Sequence, residues 1–406
     1  MVLTIFFCFI LLILSLICSK NKIFSPAVIT SGLWLLIMVL YLYMEHNLNP
    51  LSNKYFIALN LWVLLFSISS LFIQAFRTNE KFKVIPSILT RDILFYISII
   101  TFPFFLWKVY EITTLSISTN VMANLRIAAI GGIENVNIED TNPFYIIIWF
   151  VSYLIELNEY SKENKNRVYI LFIMYFVYAI ITMAKIHFLI LFLSTTYILY
   201  LKNTIKIKHI FIGIIALFFI FESIQQLRSS SDSKDKHLTN NMITLYLLSP
   251  SPAFQTITPQ TSPVFGENVF RFVYAIKYKL GFSNQKPVDT FLPFINVGTG
   301  TNTYTILYPF YKDFGLIGVG VFAVFIGLIM GYIYNKAENG NILFIVIYAI
   351  FLYQIVMQYA AEMFFTNFSL NFKRVLIALL PFIMSKYELL SKNNHQKMIE
   401  IEKINE

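Results

Sequence analysis

Residues 301–320, TNTYTILYPFYKDFGLIGVG, change from polar and aromatic to glycine-spaced and apolar within a few positions. Lys312 and Asp313 stand at the junction, with Tyr304, Tyr308 and Tyr311 ahead of them. The apolar run continues over residues 314–334, which matches the roughly 20 helical residues that cross a bilayer. The junction therefore reads as the mouth of a membrane span, where ionised groups are costly unless they have a task or reach water.

The rest of the chain supports a membrane setting. Of 406 residues, 57% are hydrophobic and only 13% charged, and the mean hydropathy is +0.66. A soluble domain would need more charge to cover its surface, so the composition predicts an all-α polytopic membrane protein, a single integral membrane domain over residues 1–406. Stretches of about spanning length recur about eleven times, at 2–18, 26–44, 55–76, 92–112, 143–157, 168–184, 186–201, 210–227, 314–334, 342–360 and 372–388. Residues 2–17 have no basic residue before them and no small-x-small cleavage pattern after them, so they read as a retained span rather than a signal peptide.

The net charge of +9 is placed for topology, which argues against a nucleic-acid partner. With the N-terminus outside, the inside loops carry Lys20 and Lys22; Arg77, Lys81, Lys83 and Arg91; Lys162, Lys165 and Arg167; Lys202, Lys206 and Lys208; and Lys336. A charged tail over residues 386–406 adds Lys386, Lys392, Lys397 and Lys403 on the same side. The short outside loops hold fewer: Lys54, Arg126, Lys185, Lys373 and Arg374. The bias puts the N-terminus outside and the C-terminus in the cytoplasm. Cys8 and Cys18, on one apolar run, lie roughly 15 Å apart along a helix, too far for a disulfide.

Two outside segments are long, residues 113–142 and 228–312, and loops of this length between spans are uncommon without a function. Within the second, Val269, Val273, Ile276 and Leu280 share one helical face, with Arg271, Lys277 and Lys279 off it. That pattern fits either an interfacial helix on lipid or a helix docked inside a folded loop.

Charges gather at the outer ends of the expected spans: Lys108 with Glu111, Lys185 with His187, Glu222 with Arg228, Lys312 with Asp313, and Glu362 with Lys373 and Arg374. Each fits snorkelling; together they fit a cavity at the outer leaflet. A transport path would instead want charges at mid-depth. There is no phosphate-binding loop, dinucleotide motif or metal-ligand spacing, and no cofactor is expected. Asp313-Phe314-Gly315 matches a kinase magnesium motif by chance, since no other kinase element accompanies it. What remains is guanidinium and ammonium near lipid headgroups with carboxylates nearby, which suits a lipid-linked diphosphate: cations stabilise its departure, and a carboxylate activates an acceptor hydroxyl.

NTYTILYPFYKDFGLIGVGVFAVFIGLIMGYIY, residues 302–334, resembles the signature of bacterial O-antigen polymerases, the Wzy-type oligosaccharide repeat-unit polymerases. Asn302, Tyr304, Thr305, Tyr311, Asp313, Phe314, Gly315 and Gly318 carry the likeness, and YLLSPSPAF and PVFGENVF are also similar. The resemblance implies a fold like the C-type glycosyltransferases. It implies transfer of a growing glycan from undecaprenyl diphosphate to a fresh lipid-linked repeat unit, with a chain-length regulator as partner. Carried onto this chain, it assigns Arg228 and Arg271, with Arg126 and Lys185, to the diphosphates, and Tyr304 and Tyr311 to sugar. Lys185 stands where many members carry arginine. Asp313 reads as a base or an organiser of the site, or as a helix cap paired with Lys312; Glu222 is the second candidate base. Gly315, Gly318, Gly320, Gly327 and Gly331 read as helix-packing residues. The alternatives are an O-antigen ligase of the same architecture and a lipid-linked oligosaccharide flippase.

Overall fold

A computed structural model describes the chain except residues 77–84, 115–120, 130–141, 230–241, 260–263, 290 and 406; the side chains of 123, 228–229 and 388–405 are likewise outside the description. Most of the first long outer segment, the start of the second and the side chains of the tail therefore lie outside the described residues.

Among the described residues, eight helices are long and apolar enough to cross a membrane: Pro26–Tyr43, Asn53–Ala75, Ile88–Thr113, Lys165–Thr182, Ile207–Leu227, Tyr308–Glu338, Ile342–Tyr359 and Phe368–Tyr387. Three further apolar helices are shorter: Val2–Cys18, Tyr145–Asn158 and Lys185–Leu201. These helices fall on the apolar stretches of the sequence, and the architecture is that of an all-α, multi-pass membrane protein. Among the described residues the sheet content is one two-stranded antiparallel ribbon, Ile295–Asn296 with Gly300–Thr301. The chain divides into two compact units.

The first unit comprises Met1–Asn79, Asp235–Lys336 and Phe351–Asn371. Its core holds a buried amide, Gln358, whose oxygen accepts from Trp62 Nε1 at 2.8 Å and Trp34 Nε1 at 3.4 Å and whose nitrogen donates to Thr30 and Ile355 at 2.8 Å. Satisfying each polar atom makes such a group tolerable inside. Beside it, the Tyr308–Glu338 helix packs on Asn53–Ala75 through glycine. A Cβ at Gly327 would stand 2.7 Å from the Phe66 carbonyl, and one at Gly331 2.6 Å from that of Ser70. Only hydrogen at those positions lets the two backbones approach so closely.

Gly315 departs from its expected packing role. Its φ of 63° and ψ of −150° break the Tyr308–Glu338 helix, and a Cβ there would meet nothing within 4 Å. It supplies a backbone conformation that side chains disfavour. Gly318 serves the same bend: a Cβ on it would fall 2.4 Å from the Phe310 carbonyl of the preceding turns. The span thus opens with a short helical piece, kinks at Gly315, and only then runs straight along its neighbour.

The second unit comprises Glu80–Lys234, Ala337–Ile350 and Phe372–Glu406. Its centre is the Tyr145–Asn158 helix, buried from Ile146 to Asn158 apart from Ile148. Glu156, in the last turn of that run, receives a two-pronged contact from Arg91, Nε at 3.0 Å and Nη2 at 2.7 Å, plus Asn164 Nδ2 at 2.8 Å. Arg167 pairs with Asp92 alongside.

Candidate functional site

In the first unit, the segment after Gly266 folds against the kinked helix through Asp313. One oxygen of its carboxylate accepts from the backbone N–H groups of Asn268 at 3.0 Å and Val269 at 2.9 Å, and the other from the Asn268 side chain. These N–H groups lie just before the Arg271–Lys279 helix, so a negative charge at this point also meets that helix's positive end. Lys312 turns away, donating to the Tyr308 hydroxyl at 2.9 Å and lying 5.3 Å from its ring centre. The alternative of a local Lys312–Asp313 pair is replaced by a latch between two segments 44–45 residues apart.

The latch sets Arg271 at a notch of about 80 Å³ lined by Asn268, Arg271, Asp289, Tyr304, Tyr308 and Glu362 among others. That volume holds a few waters or one edge of a small polar ring. Arg271 Nε donates to the Val288 carbonyl at 2.6 Å, which orients the guanidinium. Tyr304 is buried and anchored by its hydroxyl to the Pro293 carbonyl at 3.0 Å. Burial raises its phenol pKa, with neighbouring Tyr308 adding to the shift. Glu362 accepts from the backbone N–H of Phe364, Phe365 and Thr366 and from the Thr366 hydroxyl. Burial pushes its carboxyl above the ordinary carboxylate range against the pull of those four donors. Asp289 is exposed at the rim and makes no hydrogen bond to the described residues.

The second unit holds a different cluster, gathered around His187. His187 Nε2 lies 3.0 Å from the Tyr178 hydroxyl, which also donates to Asn142 at 2.6 Å. The charges of Arg374 and Arg126 both act on His187. Arg374 is only 4% exposed and stacks over Phe150, 5.3 Å from the ring centre. Arg126, on the Val121–Ala129 helix, reaches the Thr182 carbonyl at 3.5 Å. Lys185 donates to Gln225 at 3.0 Å, and Lys373 lies over Phe144. Two guanidinium charges thus act on a buried imidazole among aromatic rings, and the potential there favours an anion over a cation.

The structure sorts the sequence-derived site residues. Arg271 and Tyr304 line the notch, and Asp313 holds its wall. Arg126 and Lys185 belong to the basic cluster of the second unit. Tyr311 is only 8% exposed, with the Lys54 ammonium 4.7 Å from its ring centre and Phe254 at 5.2 Å, so its ring is used in packing. Glu222 is half-buried on the Ile207–Ser229 helix and makes no ion pair among the described residues. Arg228 lies near the end of the same helix, its side chain outside the description. Lys108 and Glu111 pair with each other at 2.9 Å in the open. The outer-end charges thus fall in both units.

Asp289, Tyr308, Glu362, His187 and Arg374 are the additions. Glu362, His187 and Arg374 carried a signal as charges at span ends. Arg374 lies nearly two turns inside the helix that begins at Phe368, a depth that the expected span of 372–388 does not show. The chain matches no protein-family model, no curated protein and no solved structure.

Proposed function

We propose that the chain is a membrane-embedded glycosyltransferase that polymerises oligosaccharide repeat units carried on undecaprenyl diphosphate, as the Wzy-type resemblance of residues 302–334 implies. The observation that carries the reading is the notch. Tyr304 of that signature meets Arg271, Asp289 and Glu362 there, while Asp313 of the same signature holds the wall. An aromatic face, a guanidinium and carboxylates are what a sugar edge requires: stacking for the ring, donors and acceptors for the hydroxyls.

In this reading Asp313 organises rather than reacts, because both its oxygens are engaged by the wall it holds. Asp289, exposed at the rim, is the carboxylate placed to take a proton from an attacking hydroxyl. Arg271, in the same notch, would offset the negative charge that grows on the leaving phosphate, and Arg126 and Lys185 with Arg374, the basic cluster of the second unit, are a separate candidate for a lipid-linked diphosphate. The reaction exchanges one acetal bond for another, with the acceptor proton leaving to base and undecaprenyl diphosphate departing.

The test is deletion of the gene in its own host, with the surface glycan resolved by length. A surface carrying single repeat units is the expected outcome. Long-chain glycan left unchanged overturns the reading, and loss of all surface repeats with build-up of lipid-linked polymer points to a ligase. Restoring the gene with Arg271→Ala should leave single repeats while the protein persists in the membrane.

A further inference from the structure

The Arg271–Lys279 helix has no buried residue. At 100° per residue, Val273, Ile276 and Leu280 form one stripe, and Arg271, Tyr274 and Tyr278 occupy the opposite side. Lys277 and Lys279 fall about 80° to either side of the stripe's centre. The helix is held by its other flank, with Arg271 Nε on the Val288 carbonyl and the Tyr274 hydroxyl on the Phe265 carbonyl at 2.6 Å, and at one shoulder by the Phe272 ring, 4.8 Å from that of Phe368. These contacts fix which way the stripe faces, and it faces away from the unit.

The stripe is open: Val273 is 45%, Ile276 42% and Leu280 63% exposed. Phe282 follows at 79%, and Phe291 and Phe294 are exposed in the same segment. Exposed apolar side chains on a spanning helix face lipid; here the same exposure continues on a segment that does not span. A run this apolar marks an interaction surface rather than a wetted loop. Its occupant is indicated by the lysines. Placed on both shoulders of an apolar stripe, they can lay their stems along hydrocarbon while the ammonium groups reach anionic headgroups. The segment is also continuous with the membrane, since it re-enters through the helix that starts at Tyr308.

We infer that the Arg271–Lys279 helix and Phe282 lie in the bilayer interface, with Val273, Ile276, Leu280 and Phe282 among the acyl chains and Lys277 and Lys279 at lipid phosphates. The inference is independent of the proposed enzymatic activity. If the activity is also as proposed, one helix carries lipid on one face and Arg271 of the notch on the other.

Spin-label accessibility in the full-length chain tests it. Cys8 is buried and stays, and Cys18→Ala removes the exposed thiol. Single cysteines then replace Val273, Ile276, Phe282 and, on the opposite face, Tyr278. In vesicles containing phosphatidylglycerol, the ratio of oxygen to nickel-complex accessibility should be several-fold higher at 273, 276 and 282 than at 278. Equal, water-like ratios at all four sites overturn the inference, as does low access to both relaxers at the stripe, which would place a protein surface there. A second readout covers variants that fail to fold. Phe282→Trp should add emission, over that of the four native tryptophans, that lipids brominated high on the chain quench; added emission quenched by acrylamide alone overturns the inference.

Discussion

Arg91 and Arg374 are both withdrawn from solvent in the same unit, yet their surroundings differ in kind. Arg91 has a buried carboxylate held in two prongs, and a second arginine, Arg167, meets its own aspartate alongside. Arg374 stands over an aromatic ring and shares its neighbourhood with His187 and Arg126. In the first cluster cations and anions are matched within the chain, which is how a scaffold tolerates buried charge. In the second, two guanidinium charges act on one buried imidazole, and clusters of mutually perturbing titratable groups are common at functional sites. The contrast separates an arginine held by a carboxylate from one set against an aromatic ring and an imidazole.

The most severe way to break the comparison is at the matched cluster. Glu156→Ala leaves the Arg91 guanidinium buried without its carboxylate, which should cost about 3–5 kcal/mol. The readout is lost thermal stability and lost folded protein in detergent. Replacing both partners, Arg91→Met with Glu156→Leu, should recover most of that loss, because neither charge then remains buried. Failure of the double variant to recover would mean that the pair contributes more than charge matching.

At the like-charged cluster the effect should move from stability to activity. Arg374→Ala should lower polymer formation by roughly a hundredfold, the loss expected for a cation acting on a charged phosphate in a dry site, while melting in detergent stays close to that of the native chain. A collapse of the fold instead would put Arg374 with Arg91 and erase the contrast.

Why sequence reasoning saw one cluster and not the other is physical. The spans were legible because hydrophobicity is a local property; from Val2–Cys18 to Phe368–Tyr387, each apolar run became a helix. The Arg91–Glu156 pair joins residues 65 positions apart, so from sequence Arg91 looked like any topology-setting charge. Gly315 and Gly327 are indistinguishable on a page of glycines; one bends the chain and the other admits a neighbouring backbone. Asp313 was legible as important but not in role, since its partners come from a segment that only folding brings to it.

The carboxylates of the first unit provide a third case, in which N–H and O–H donors do the matching. Asp313→Ala frees three donors and should cost about 1–3 kcal/mol, seen as faster hydrogen exchange over residues 264–270. Asp313→Asn keeps one acceptor oxygen and should fall between. An unchanged exchange rate with activity lost in both variants would favour a chemical role over a latch.

Glu362 sharpens the same case through pH. Its folded-state pKa lies above the ordinary carboxylate value because burial disfavours the charged form. As pH rises, the unfolded chain therefore gives up its proton first. The stability is fully present below the ordinary carboxylate pKa and is lost as pH rises through the higher folded value. Melting followed across that window should fall with rising pH, and Glu362→Gln should flatten the slope.

The smallest effect belongs to Lys108 and Glu111, which resemble the other outer-end charges in sequence. Their ion pair is exposed on one helix face, one turn apart, so water already solvates both partners and little is lost when either is removed. Replacing both by glutamine should change neither melting nor polymer length measurably. A clear loss of activity there would mean that depth and burial are poor guides to which outer charges matter, and that Arg374 had been singled out for the wrong reason.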